Sequence, residues 1–144
     1  MAAGAWTFYN KAKEYIGDAT IDLDTDNFRM SLYISSSNAA TATLTALSQV
    51  TNQVAEANGY SSSGKALAGV TWATGASASE MRFDATANVW TAAGGNISAI
   101  QFAVIWASGG NLVCYSQLST APFSVSDGNT LTITPSANGI FELN

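Results

Sequence analysis

Three aspartates at alternate positions are the first side chains whose spacing could serve chemistry. Asp22, Asp24 and Asp26 match the start of an EF-hand calcium loop, whose alternate carboxylates bind the cation. That loop needs glycine at its sixth position and glutamate at its twelfth, where this sequence has Asn27 and Tyr33. We therefore predict a solvated acidic strand edge and turn that discourages edge-to-edge pairing, with calcium binding and acid–base chemistry as alternatives.

A second candidate is the segment from Gly59 to Lys65, which has the spacing of a phosphate-binding P-loop. A P-loop needs a helix after it and a hydroxyl residue next to its lysine, but Ala66 follows here. Ser62 and Lys65 also satisfy the S-x-x-K pattern of Ser-Lys hydrolases. Because Gly64 interrupts the turn and a strand is predicted downstream, we interpret the segment as a polar surface loop.

Tryptophan and cysteine complete the candidate residues: Trp6, Trp72, Trp90, Trp106 and Cys114. A row of exposed tryptophans would form a sugar-binding platform, so a glycan-binding module is one alternative function. Three of the four tryptophans lie in predicted strands among small residues, which favours packing in the core. The cysteine shares an apolar position with Leu112 and is predicted to be a buried, inert thiol.

The composition excludes several classes of site. The chain has 144 residues and no histidine, so it cannot build a Ser-His-Asp triad, a Cys-His pair or a histidine-containing zinc site. Five basic and ten acidic residues give a net charge of −5, which argues against nucleic-acid binding. The N-terminus lacks the features of a secretion signal, and no segment is apolar enough to cross a membrane. We therefore predict no catalysis, cofactor or metal.

The periodicity of the chain predicts the elements that position these residues. Helical spacing predicts a short helix over Thr7–Ile16. Strict alternation predicts a half-buried strand over Phe28–Ile34. Ile97–Ala107 is apolar on both faces, with Ile100 grouped with Phe102, and predicts a central strand covered on both sides.

Short strands with a turn signal about every ten residues predict an all-β fold. We expect residues 1–144 to form a single-domain β-sandwich, jelly-roll-like or Ig-like, with a short N-terminal helix. Residues 35–45 read as a loop, the range 47–57 stays open between helix and strand, and Asp127-Gly128-Asn129 predicts a hairpin turn. Residues 85–126 carry no formal charge, which predicts folded core with neutral turns. Low charge with many Ser, Thr and Asn residues is typical of a surface that meets other proteins.

The start of the chain predicts a docking arm. Residues 1–5 are rich in Ala and Gly, and Trp6 and Phe8 follow them. We predict that residues 1–8 become ordered on docking to a partner, with Trp6 and Phe8 as the contact residues.

Short motifs follow one another in a specific order along nearly the whole chain. They are Phe8–Asn10, Ile21–Met30, Asn58–Tyr60, Gly64–Val70, Phe83–Ala85, Val89–Trp90, Ala103–Trp106, Gly128–Ile133 and Gly139–Phe141. In this order the chain resembles a family of small all-β virion structural proteins of tailed bacteriophages.

The resemblance implies a non-enzymatic part of the virion, and first of all a capsid decoration (cement) protein. Such a protein binds the outer surface of the major capsid protein shell and stabilises it. The resemblance also implies synthesis in the host cytoplasm, a final place on the capsid surface, and a homo-oligomer, with a trimer favoured. A tail, neck or fibre component of the virion and a glycan-binding module are the alternatives.

Overall fold

The longest strand of the fold lies at the centre of its main sheet. The structure, a computed structural model, describes residues 1 and 3–144. In chain order its elements are β1 (Thr7–Phe8), α1 (Asn10–Gly17), β2 (Phe28–Ile34), a 3₁₀ turn (Leu47–Gln49), β3 (Lys65–Ala66), β4 (Thr71–Thr74), β5 (Met81–Asp84), β6 (Asn88–Thr91), β7 (Ile97–Ala107), β8 (Leu112–Gln117), β9 (Phe123–Val125), β10 (Thr130–Ile133) and β11 (Phe141–Leu143).

The strands form three antiparallel sheets. The main sheet has the order β1-β8-β7-β2-β3, and β9 pairs with the first part of β7. A second sheet has the order β11-β5-β4, and β6 pairs with β10 in a third. Among the residues described, no helix is long and apolar enough to span a bilayer.

Both faces of the main sheet are covered, and the coverings differ. One face packs against the two smaller sheets, where the ring of Phe83 lies 4.9 Å from that of Phe28 and 5.0 Å from that of Phe141. The other face packs against α1 and the long loop after β2, which contribute Ala12 and Leu47. The all-β, sandwich-like fold with a short N-terminal helix is therefore confirmed.

The predicted helix begins three residues too early. Thr7 and Phe8 are not helical, because they pair with Tyr115 and Cys114 of β8 as strand β1. The helix starts at Asn10 and ends at Gly17, and its fully buried residue is Ala12.

The bounds predicted for β2 are confirmed, but its predicted half-burial is wrong. Ser31 and Tyr33 were expected on the exposed face, and both are buried. The loop after β2 folds back over Tyr33, which packs with Ala39 and Leu47 of that loop. The indole Nε1 of Trp106 donates a hydrogen bond of 3.0 Å to the Ser31 hydroxyl. Alternation alone could not reveal this covering layer.

The central strand β7 has the predicted bounds but a different division of faces. Ala99 has a φ of +58°, and the pairing register shifts between Ile97 and Ile100. Because of this irregularity, the side chain of Ile100 packs with Ala103 in one core cluster, whereas Phe102 belongs to the cluster on the other face of the sheet. The predicted grouping of Ile100 with Phe102 is therefore wrong.

Two other local predictions change. The residues 127–129 do form a turn, with the Asn129 N–H 2.9 Å from the Ser126 carbonyl. The turn joins β9 in the main sheet to β10 in the third sheet, so it does not close a hairpin. The range 47–57, left open between helix and strand, contains one 3₁₀ turn followed by extended chain.

Candidate functional site

Two stretches without formal charge, residues 30–55 and 85–126, meet on one side of the fold. The loop of residues 35–53 lies beside the turn of residues 108–111, and we call these two segments the neutral face. The Leu47 N–H donates to the Gly110 carbonyl at 2.7 Å, and the Leu112 N–H donates to the Thr45 carbonyl at 3.1 Å. These bonds hold the two segments together as one surface.

Helix α1 and the residue before it anchor the neutral face from below. The hydroxyl of Tyr9 donates a hydrogen bond of 2.6 Å to the Ala39 carbonyl, and both residues are fully buried. The backbone N–H of Asn10 donates to the Ala42 carbonyl at 2.8 Å. Burial raises the pKa of Tyr9, so its hydroxyl remains a protonated donor.

Two amide side chains tie the loop of the neutral face to itself. The carbonyl oxygen of Asn38 accepts from the Thr51 N–H at 2.8 Å, and its amide nitrogen donates to the Gln49 carbonyl at 2.9 Å. The side-chain oxygen of Gln49 accepts from the N–H groups of Thr45 and Ala46, at 2.8 and 3.1 Å. A loop with this many internal bonds is ordered before it meets a partner.

A shallow depression lies where the two segments of the neutral face meet. Its volume is about 350 Å³, and its lining consists of Ala46, Leu47, Ser48, Gly109 and Gly110. These residues carry no titratable group, so the depression offers apolar contact and backbone atoms rather than acid–base or metal chemistry. Such a surface suits contact with another protein.

The aspartates at 22, 24 and 26 form a turn in which Asp22 and Asp24 are exposed, so the predicted solvated turn is confirmed and the predicted strand edge is wrong. The Asp22 carboxylate accepts from the Asp24 and Thr25 N–H groups at 2.9 and 3.3 Å, and Asp26 accepts from the Asp22 N–H at 2.9 Å. These hydrogen bonds, with that of the Asp24 N–H first, hold the pKa of Asp22 below its usual value. Within residues 1 and 3–144, no three metal-ligating side chains lie close enough together to hold an ion.

The segment from Gly59 to Lys65 is a surface loop followed by a strand, as predicted. Lys65 lies in β3 opposite Met30, and its ammonium donates to the Val89 carbonyl. The Ser62 hydroxyl donates instead to the Glu56 carboxylate. The loop therefore has neither the helix of a P-loop nor a serine–lysine contact.

The tryptophans do not form a row. Trp90 and Trp106 are buried in the core, as predicted, whereas Trp6 and Trp72 are half-buried and pack against its edges. Trp72 borders a cleft of about 210 Å³ that also includes Ile21 and Asp22.

The cysteine prediction is confirmed, since Cys114 is fully buried. Burial raises the pKa of its thiol. A register shift in β7–β8 pairing places Leu112 in the other core cluster, so the predicted common face of these two residues is wrong.

Of residues 1–8, predicted to form a docking arm, Met1 and residues 3–8 lie against the body of the protein, and Ala2 lies outside the described residues. Phe8 in β1 contacts Phe141, with ring centroids 4.4 Å apart. Trp6 packs beside the core, and the Met1 ammonium donates to the Thr132 carbonyl at 2.8 Å. A docking role for Trp6 and Phe8 stays a prediction.

Comparisons with known proteins give no relative. A scan against family models finds no match, and neither a search of curated proteins nor one of solved structures finds any. The functional argument therefore depends on the chain's own residues. Sequence reasoning noticed the charge-free run of residues 85–126, but not that residues 35–53 would fold beside part of it.

Proposed function

We propose that the protein is a non-enzymatic structural component of a bacteriophage virion, and specifically a capsid decoration (cement) protein. It binds the outer surface of the major capsid protein shell through the neutral face. The observation that carries the proposal is this single ordered surface, built from two segments without formal charge. The order of motifs along the chain supports the virion assignment.

The physical properties of the neutral face favour protein–protein contact. The centres of protein interfaces are depleted in charged residues, because an unpaired charge loses its hydration on burial. The hydrogen bonds of Asn38 and Gln49 reduce the ordering that docking would require. Buried apolar area contributes about 25 cal/mol per Å², so many copies with modest contacts would together stabilise a shell.

The resemblance adds the remaining parts of the proposal. The major capsid protein is the partner, the capsid surface is the location, and a homotrimer is the favoured oligomer. The alternative of a tail, neck or fibre component uses the same kind of surface in far fewer copies. The alternative of a glycan-binding module would depend on Trp72, which is half-buried beside its cleft.

The first test is the copy number of the protein in purified particles of the phage that encodes it. Quantitative mass spectrometry against the major capsid protein gives the ratio directly. We expect one copy for each capsid subunit or for every few subunits. A handful of copies per particle would move the protein to the tail or neck, and complete absence would refute the virion assignment.

A second test places a charge on the neutral face. Ser48 is exposed there and its hydroxyl makes no hydrogen bond within the described residues, so Ser48→Glu leaves the fold intact. We expect at least a tenfold loss of affinity for particles, because burying a lone carboxylate costs more than the ~1.4 kcal/mol that a factor of ten represents. The control is Ala87→Glu, which adds the same charge at an exposed position outside the neutral face. Equal binding by both variants would contradict the assignment of this surface.

A further inference from the structure

Strand β4 (Thr71–Thr74) is an edge strand without the usual protection. It pairs with β5 on one side, and none of the strands in the described part of the chain pairs with its other side. Natural edge strands are commonly blocked by lysine, proline, a bulge or an inward-facing charge. β4 has none of these, and residues 66–79 carry no formal charge.

The pairing register shows which backbone groups face the open side. Gly75 continues the β4–β5 ladder and donates its N–H to the Glu80 carbonyl at 2.8 Å. Hydrogen-bonded residues alternate along an antiparallel strand, so Ala73 and Thr71 also direct their backbone groups to β5. The N–H and C=O groups of Trp72 and Thr74 therefore point to the open edge.

We propose that β4 pairs with β4 of a second copy of this chain, antiparallel and about a two-fold axis at Ala73. In this register Trp72 of one copy lies opposite Thr74 of the other. The two residues of this pair exchange two backbone hydrogen bonds. The two-fold axis creates a second, identical pair, so the open N–H and C=O groups of Trp72 and Thr74 in both copies all have partners. A shift by one residue would set open groups against groups already bonded to β5.

The side chains around the axis fit a second copy. Thr71 and Ala73 are small and exposed, so they allow close approach on the outer face. Trp72 lies opposite Phe83 of β5 and therefore faces the inner side, where its ring is half-buried. The two Trp72 side chains become diagonal neighbours about 7–8 Å apart, and each covers part of the other's exposed surface.

Strand β4 carries no charge of its own, and its nearest charges lie on β5. Asp84 and Arg82 of β5 lie opposite Thr71 and Ala73, and Glu80 lies opposite Gly75, so the strand behind the edge carries both signs of charge. Four residues bury much less than the ~1,000 Å² of a stable interface, so the pairing is weak in dilute solution and favoured where copies are concentrated. It is separate from the neutral face, does not depend on the proposed function, and as a two-fold contact it is distinct from the three-fold contact of the homotrimer that the resemblance favours.

Disulfide trapping tests the register directly on the full-length chain. The two Ala73 residues face each other across the axis and form no hydrogen bonds with each other. In such a pair the Cα atoms are about 4.5 Å apart, which is within disulfide range. Ala73→Cys therefore places two thiols face to face. The native Cys114 is fully buried and does not compete.

The matched control is Thr71→Cys, also exposed and two residues away. Thr71 lies opposite Gly75 of the other copy, so its two thiols are four residues apart, about 13 Å. Under mild oxidation we expect the Ala73→Cys variant to form disulfide-linked dimers at least tenfold faster. Equal rates for the two variants would indicate random collision and would overturn the proposal.

A third variant tests the hydrogen bonds at the edge. Thr74→Pro removes an N–H that points to the open side and leaves the bonds between β4 and β5 in place. Added to the Ala73→Cys variant, it is expected to reduce the cross-linking rate to that of Thr71→Cys, while circular dichroism shows the fold retained. Unchanged cross-linking would overturn the two-fold pairing, and if the proline variant does not fold, the comparison of the two cysteine variants decides alone.

Discussion

The hydroxyl of Tyr9 is expected to stabilise both the fold and the neutral face, and Tyr9→Phe tests this with the loss of one oxygen atom. The hydroxyl donates to the Ala39 carbonyl at 2.6 Å, and both residues have no exposed surface. The phenylalanine ring fills the same space. The Ala39 carbonyl then has no donor from the tyrosine and no access to water.

The magnitude follows from that burial. A buried acceptor left without its partner costs about 1–3 kcal/mol in the free energy of unfolding. An unfolding entropy of about 2.1 cal/mol/K per residue gives about 0.3 kcal/mol/K for this chain, so the melting temperature falls by about 3–10 °C. The loop of residues 35–53 is released first, because Ala39 is one of its anchors.

Urea unfolding followed by tryptophan fluorescence measures the change, since Trp106 lies in the same core cluster as Tyr9. The slope of the transition should stay constant while its midpoint falls. Tyr15→Phe is the control, because Tyr15 is half-buried and its hydroxyl makes no hydrogen bond within the described residues. We expect this substitution to change the free energy of unfolding by no more than about 0.5 kcal/mol. A Tyr9→Phe variant as stable as this control would refute the anchoring role.

Two further predictions concern a glycine and a carboxylate. Gly64→Ala is expected to lower the free energy of unfolding by about 1–3 kcal/mol because Gly64 has a φ of +69°, and by more because the new Cβ would lie 2.5 Å from the Ser31 hydroxyl. Gly94→Ala is the control: Gly94 has a φ of +83° but open space around it, so this variant shows the conformational cost alone. Urea unfolding of both variants measures the difference. Hydrogen bonds lower the pKa of Asp22 in the folded protein, so the ionised carboxylate stabilises the fold. This stabilisation is fully present above the unfolded pKa of ~3.9 and is lost as the pH falls through the folded pKa. We therefore expect the Asp22→Asn variant to lose less free energy of unfolding between pH 7 and pH 3 than the unchanged protein does. An equal loss in the two proteins would contradict this prediction.

The sequence predicts the elements of this fold better than their environments. The bounds of β2 and β7 follow from alternation and from a long apolar run, which are local properties. The burial of Tyr33 depends on a loop that returns over the sheet, and Ser31 is covered where it accepts from the Trp106 indole; a period of two records neither contact. The face of Ile100 depends on one residue, Ala99, whose positive φ no side-chain pattern indicates.

The neutral face was only partly predictable for the same reason. Low charge with many Ser, Thr and Asn residues is visible in the sequence and led to the prediction of a surface that meets other proteins, whereas the uncharged run 85–126 was predicted as core with neutral turns. The union of residues 35–53 with residues 108–111 needs the tertiary bond from Leu47 to Gly110. Sequence reasoning could therefore indicate the kind of surface but not its location.

A charge-free contact surface requires that solubility be supplied elsewhere on the chain. Half of the acidic residues, five of ten, fall within residues 14–26. Backbone hydrogen bonds hold the pKa of Asp22 low, and hydrogen bonds from Thr20 do the same for Asp18, so both carboxylates stay ionised well into the acid range. Concentrating the negative charge in one short segment lets the protein repel its neighbours in solution, while the residues of the neutral face and of β4 carry no charge of their own. Charged side chains only border these surfaces: Lys11 and Glu14 lie beside Thr43 and Thr45, and Glu80 lies beside Gly75. The scarcity of charge is what the proposed contact surfaces would require, since the fold itself needs uncharged residues only in its core.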